Sequence, residues 1–217
     1  TVRTVACPFI SMPFDYVHHD TTTATLLALS ANGHIHLAFF VLGGCVQQNP
    51  TVLQRDVAAG HEIGTHSWSH PNLAKLSDSG VRSQLQRTED LIVKTVGLKP
   101  KLMRPPYGEL TKRQRIWVNQ EFGYKVILWD VDPLDWKRPG PSVVAHRIIA
   151  GARPGSMILS HDIHPPPIAV LRPEVKLVQL SSLSRRAALV AELVAAELVI
   201  VRFDREFAQR GADGVGA

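Results

Sequence analysis

Two histidines, His66 and His70, stand four residues apart in the stretch Gly60-His61-Glu62-Ile63-Gly64-Thr65-His66-Ser67-Trp68-Ser69-His70-Pro71. On a helical turn this spacing places both imidazoles on one face, about a turn apart. Imidazole is a favoured ligand of zinc and similar ions. The plain alternative is a pair of polar histidines in a surface loop, and the pair alone does not separate the two. The rest of the chain supplies further groups able to do chemistry: Asp15, Arg104, Asp130, Asp132, Asp135 and His161. Each has an ordinary reading when taken singly. An aspartate after a strand is usually a cap or turn residue, and an arginine is usually an ion-pair partner.

Their placement among the elements is more informative. Strand-like and helix-like stretches alternate along the chain. A first strand falls within Val2 to Phe14, with limits blurred by Pro8 and Pro13. A helix over Thr21 to Ala31 ends at Gly33. His36 to Leu42 is an apolar run suited to a strand buried on both faces, and Gly43-Gly44 punctuates it. A helix over Pro50 to Ala59 precedes a short strand, Glu62 to Thr65. Helical spacing of Val81, Leu85, Ile92 and Val96 predicts a helix from Ser79 to Val96. Then follow a strand at Lys101 to Arg104, a helix at Leu110 to Phe122 and a strand at Tyr124 to Val131. A helix at Ser142 to Ala150, capped by Ser142 behind Pro141, leads to a strand at Ser156 to Ser160. Val170 to Ala196 reads as helix without a clean period. Leu198 to Phe203 reads as a last strand and Glu206 to Arg210 as a short closing helix.

Six or seven β-then-α units argue for a parallel sheet closed, or nearly closed, as a β/α barrel. A flat doubly wound sheet is the alternative. No Gly-x-Gly-x-x-Gly follows the first strand and no phosphate loop is present, which counts against the nucleotide-binding versions. In a β/α barrel the C-terminal strand ends form one rim, where active sites are built. Asp15 ends the first strand, His66 and His70 follow the third, and Arg104 to Gly108 follow the fourth. Asp130, Asp132, Asp135 and Trp136 follow the fifth, and His161-Asp162 the sixth. Five strand ends thus bring carboxylate, imidazole and guanidinium groups to one place, which argues for a catalytic rim.

The motifs that carry these residues are Phe14-Asp15, His66-Ser67-Trp68-Ser69-His70, Arg104-Pro105-Pro106-Tyr107, Asp132-Pro133-Leu134-Asp135-Trp136 and Met157-Ile158-Leu159-Ser160-His161. In order and spacing they resemble the five motifs of the NodB-type polysaccharide deacetylases, carbohydrate esterase family four, with a chitin deacetylase-like cast. The resemblance runs from Phe14 to about Pro166. It implies a distorted (β/α) barrel of about seven parallel strands, with residues 1–217 forming a single catalytic domain.

The resemblance also implies a chemistry: metal-dependent hydrolytic removal of acetyl groups from N-acetylglucosamine units of chitin or chito-oligosaccharides. Peptidoglycan deacetylation and acetylxylan esterase activity are the alternatives. His66 and His70 would hold Zn²⁺, or Co²⁺ or another divalent ion. Asp15 would be the general base, oriented by a bidentate contact from Arg104. His161 would be the general acid, its pKa raised by Asp135. The Tyr107 backbone N–H would help to hold the oxyanion, and Trp136 and Leu159 would line a slot for the acetyl methyl. Without the resemblance, Trp136 and Leu159 read equally as core residues.

One departure stands beside these matches. The family's first motif has two consecutive aspartates followed by Gly-Pro, the first the base and the second a metal ligand. Here the run is Phe14-Asp15-Tyr16-Val17-His18, so the ligand position holds a tyrosine, with an unperturbed pKa of about 10. Asp20, His18 or His19 could supply a third ligand, or two histidines and water could hold the metal weakly. A third reading, from another class, is a catalytically silent carbohydrate-binding barrel.

Composition sets the remaining bounds. With 45% hydrophobic and 20% charged residues, the chain has the make-up of a globular protein, and no apolar run is long enough to span a membrane. The net charge of +5 comes from scattered Lys and Arg, which does not point to nucleic acid. Cys7 and Cys45 are too few for a disulfide scaffold, and two buried thiols are the simpler reading than one bridge. The expected partner is an N-acetylated polysaccharide, met by a monomer. By resemblance, the location is secreted or wall-associated.

Overall fold

The structure is a computed structural model that describes residues 14–16, 27, 37–153 and 156–162. Among the described residues, six strands form one parallel sheet in the order β5-β4-β3-β2-β1-β6. They are β1 (Phe14–Tyr16), β2 (Ala38–Val41), β3 (Glu62–Thr65), β4 (Leu102–Met103), β5 (Lys125–Val126) and β6 (Ser160–Asp162). The helices are α1 (Gly43–Gln48), α2 (Pro50–Ala58), α3 (Asp78–Val96), α4 (Lys112–Phe122) and α5 (Pro141–Gly151). Leu27 is helical, within the helix expected there. The remainder of that helix, most of the Val2 to Phe14 stretch, and every element expected beyond Asp162 lie outside the described residues.

The apolar run at β2 is buried along its whole length, as a strand covered on both faces requires. Leu37, Phe39, Val41, Val46, Leu53, Ile63 and Ile92 form one core cluster with it. A second cluster gathers Leu73, Leu85, Met103, Trp117 and Tyr124. Each such fully buried side chain contributes about 1.5–3 kcal/mol, enough for the core to fix short strands that hydrogen bonding alone would not.

Helix ends follow the sequence signals closely. Ser77 Oγ accepts from Gly80 N at the start of α3, and Gly97 at φ 73° closes it. Thr111 and Gln114 form a reciprocal capping box on α4, which Gly123 terminates at φ 76°. At α5 the expectation fails: the cap position is Gly140, at φ 98°, with Pro141 in the first turn. Proline's fixed φ starts the helix one residue ahead of Ser142.

Three further differences concern the rim. Gly43-Gly44 is not mere punctuation but opens the short helix α1. A Cβ at Gly43 would come within 2.4 Å of the Trp68 ring, so this helix exists where only glycine lets the indole approach. The strand expected at Tyr124 to Val131 pairs only over Lys125–Val126, then meets Ile158 in an isolated parallel bridge at Val131. The chain bends at Asp130, whose carboxylate accepts from Met157 N at 2.7 Å. The sixth strand, expected at Ser156 to Ser160, runs later, at Ser160–Asp162. The Val131–Ile158 bridge joins the segment after β5 to the segment before β6, the two ends of the sheet order.

Candidate active site

The site grows from strand register. Asp15 pairs with Phe40 on one side and His161 on the other, so the carboxylate and the second imidazole stem from adjacent positions of neighbouring strands. Both lie within strands rather than beyond them. Gly64 is the next residue in the same row. A Cβ at Gly64 would lie 2.6 Å from the Phe40 ring, so the glycine leaves space for that ring. Above the ring, at 4.5 Å from its centroid, sits the guanidinium of Arg104.

Arg104 is fully buried and donates from Nη1 to Asp15 Oδ1 at 2.7 Å. The recorded contact to Asp15 is this single bond, not the two-pronged one expected. Nη2 instead faces the Met157 sulfur at 3.6 Å, because β1 and the Met157 segment flank the guanidinium from different sides. Burial by itself would raise the Asp15 carboxyl pKa. The Arg104 charge and hydrogen bond, with His161 assisting, outweigh it and hold Asp15 below the usual carboxylate value.

His66 and His70 come together without a helical turn. Ser67 and His70 both adopt left-handed backbone conformations, at φ 77° and 60°. For non-glycine residues this costs about 1–3 kcal/mol each and persists only where surrounding contacts enforce it. The result is a tight loop after β3 in which the two rings lie 4.9 Å apart. Ser67 Oγ accepts from His70 N at 3.1 Å and closes the loop. His66 Nδ1 lies 2.7 Å from the Arg104 carbonyl, which can only accept, so Nδ1 carries the proton. Nε2 is then a bare lone pair. It is buried without a hydrogen-bond partner, 3.7 Å from Asp15 Oδ2. Burial pushes the His66 pKa down to about 4 and also lowers that of His70, so both rings are neutral at pH 7.

An orphaned, buried imidazole nitrogen beside an ionised carboxylate fits a cation, and the carbonyl on the opposite nitrogen is the usual arrangement behind a metal-bound histidine. His66 and His70 fit the imidazole part of such a site. Among the described residues no set of three His, Cys, Asp or Glu is arranged to hold a metal ion. Tyr16 follows Asp15 on β1, paired with Val41 and Asp162.

The other expected residues fall around this centre. His161 Nδ1 donates to Asp135 Oδ1 at 2.7 Å, and His161 N to Asp135 Oδ2 at 2.8 Å. Burial works against protonation of His161, but the hydrogen bond and charge of Asp135 prevail, with Asp15 and Asp132 assisting, and its pKa is raised. Tyr107 is left-handed at φ 60°, and its ring packs 4.7 Å from that of His70. Leu159 is buried. Trp136 is 44% exposed on a 3-10 turn, with Lys137 Nζ 4.9 Å from its ring centroid. Asp132 caps Leu134 N at 2.8 Å, a turn role like that of Asp130. Cys45 is a half-buried thiol, and Cys7 lies outside the described residues. Sequence reasoning missed the residues that shape the histidine loop, Trp68 and Gln84. The Gly43-Gly44 pair was the signal that a large ring approaches there.

A carboxylate held below its usual pKa and an imidazole with a raised pKa thus stand on adjacent strands, with two neutral imidazoles near the carboxylate. Groups of these kinds can take a proton from water and give one to a leaving group. The chain is similar to known proteins in sequence and in fold. The polysaccharide deacetylase family matches residues 3–127. The peptidoglycan-N-acetylglucosamine deacetylase PgdA of Listeria monocytogenes is 35% identical over 191 residues, covering 88% of this chain and 40% of that protein. The chitooligosaccharide deacetylase of Sinorhizobium fredii is 31% identical over 160 residues, covering 73% of this chain and 74% of that protein. The crystal structure of BA3943, a CE4 family pseudoenzyme from Bacillus anthracis, superposes with a TM-score of 0.69 at 28% identity, covering 74% of this chain and 56% of that one. The chain therefore spans less than half the length of the Listeria relative.

Proposed function

Because this chain belongs to the polysaccharide deacetylase family, we propose that it hydrolyses acetyl groups from the N-acetylglucosamine units of a structural glycan. Peptidoglycan strands are the first candidate and chitin or chito-oligosaccharides the second, since relatives named for both are similar to it. Acetylxylan, an O-deacetylation, is a third. A polymeric wall substrate places the reaction in the wall or outside the cell. The catalytic domain is taken as the whole chain, in a distorted barrel.

The observation that carries the proposal is the register of Asp15 and His161 on adjacent strands, with His66 Nε2 bare beside Asp15. Asp15, kept ionised by Arg104, takes a proton from water as the oxygen attacks the acetyl carbonyl. The backbone N–H of Tyr107 donates to the oxyanion. The C–N bond breaks as His161 gives its proton to the departing amine, leaving acetate and a free amino sugar. Asp135 holds His161 protonated and in place. Trp136 offers an aromatic face to the sugar and Leu159 an apolar wall to the methyl group. A divalent ion such as Zn²⁺ or Co²⁺, held by His66 and His70, would polarise the carbonyl and lower the pKa of water.

A second reading, a silent carbohydrate-binding barrel, is favoured by Tyr16 at the position of an expected carboxylate ligand. Catalytic metal sites ordinarily keep three protein ligands. Incubation with peptidoglycan glycan strands and with N-acetylated chito-oligosaccharides, each with added Zn²⁺ or Co²⁺, separates the readings. Acetate release supports the enzyme. Retained glycan binding with no acetate under any metal supports the binding module.

A further inference from the structure

The residue that holds the two imidazoles at their separation lies outside all five motifs. Gln84, half-buried on α3, accepts at Oε1 from Trp68 N at 2.9 Å and from Ser69 N at 3.0 Å. Two backbone donors on one amide atom identify it as oxygen. Its Nε2 donates to Ser69 Oγ at 3.1 Å. One side chain therefore engages two of the three residues between His66 and His70 through three bonds of 3.1 Å or less, with a longer fourth contact from Ser69 Oγ to Oε1 at 3.5 Å. The same face of α3 presents Arg87 and Thr88, three and four positions on. Arg87 stacks on the Trp68 ring at 4.0 Å, while Gly43 meets that ring from the side of α1. Thr88 Oγ1 donates back to the Gln84 carbonyl at 2.8 Å. The start of α1 adds two bonds, Gly43 N to Ser67 O and Gly44 N to Trp68 O.

Ser67 and His70 sit in left-handed backbone conformations, which are uncommon for non-glycine residues. A strained loop of this kind keeps its shape only if its backbone donors are fixed from outside. Gln84 supplies the fixed acceptors for the two amides in its middle. We propose that Gln84 is the positioning residue of the His66–His70 loop, through which α3 sets the separation of the two imidazoles. The inference rests on the reading that these imidazoles hold the metal ion, and it places a determinant of that site on a helix with no ligand of its own.

The test uses Gln84→Met, which keeps the length and loses all three bonds, and Gln84→Glu, which keeps an oxygen for both backbone donors. Amide hydrogen exchange and Zn²⁺ titration by calorimetry are measured on the whole chain, with acetate release resolved into kcat and KM. In Q84M the Trp68 and Ser69 amides exchange at least about tenfold faster, Zn²⁺ binds about tenfold more weakly and kcat falls with KM for glycan unchanged. In Q84E exchange and Zn²⁺ affinity stay within about threefold of the parent. Unchanged exchange in Q84M overturns the proposal, as does equal loss in both variants or faster exchange with unaltered Zn²⁺ affinity. A parent that binds no Zn²⁺ counts against the metal reading, and the exchange comparison then decides the proposal by itself.

Discussion

Arg104→Met tests the charge pair beneath the site. Arg104 is fully buried, Asp15 nearly so, and they meet at 2.7 Å. Methionine keeps an apolar stem over Phe40 and beside Met157 while removing the charge. Asp15 is then an ionised carboxylate in a dry setting, with burial no longer opposed by its nearest cation. Breaking a buried pair from one side costs about 3–5 kcal/mol. For a chain of this size that lowers Tm by about 6–20 °C. Asp15→Asn strands the guanidinium and is costly too, but the double variant strands neither charge. Equilibrium urea unfolding of the four proteins should give a coupling of about 2 kcal/mol or more. The sign with pH is fixed by the depressed Asp15 pKa. The pair stabilises fully above the unfolded carboxylate value of 3.8 and is lost as pH falls through the lower folded value. Coupling measured at pH 7 should therefore shrink in strong acid. A cost below about 1 kcal/mol for R104M, or additivity within about 0.5 kcal/mol, would refute the reasoning.

Three other outcomes are expected. Asp135→Asn removes the main support for His161 protonation, so the alkaline limb of kcat moves to lower pH; an unmoved limb denies the pair its role. Because the folded His161 pKa is raised, its stabilisation is full below the unfolded value of 6.5 and fades as pH rises through the folded value, so D135N should be more destabilising at pH 5 than at pH 9. Tyr16→Asp should tighten Zn²⁺ binding in calorimetry, and unchanged affinity would remove position 16 from the metal shell. Gly43→Ala should cost about 1–3 kcal/mol in urea unfolding, since its Cβ would overlap the Trp68 ring, and near-neutral stability would contradict that packing.

The parallel β/α order, the strand at Glu62–Thr65 and the ends of α3 and α4 were legible because each rests on a local cause: an apolar run, a capping hydroxyl, or a left-handed glycine. So was the gathering of Asp15, His66, His70, Arg104, Asp135 and His161, which follows from their recurrence at strand ends. What escaped depends on contacts between distant segments. Spacing alone suggested a helical turn for His66 and His70, whereas the observed loop needs Ser67 and His70 at positive φ, enforced by α1 and α3. The bend at Asp130 is tied by a bond to Met157, far along the chain. Arg104 gives only one arm to Asp15 because Met157 occupies the space by the other. No local pattern in Ser79 to Val96 marks Gln84 as different from any other polar helix residue.

If Asp15 is the base of a hydrolytic site, its loss should abolish turnover while leaving metal and glycan bound. Acetate released from peptidoglycan glycan strands is measured for the parent chain and for Asp15→Asn, at equal Zn²⁺ loading and equal glycan binding. Release by the parent and a loss of at least about a hundredfold in the variant are expected. Equal release by both proteins, or none by a parent that holds zinc and glycan, would contradict that role.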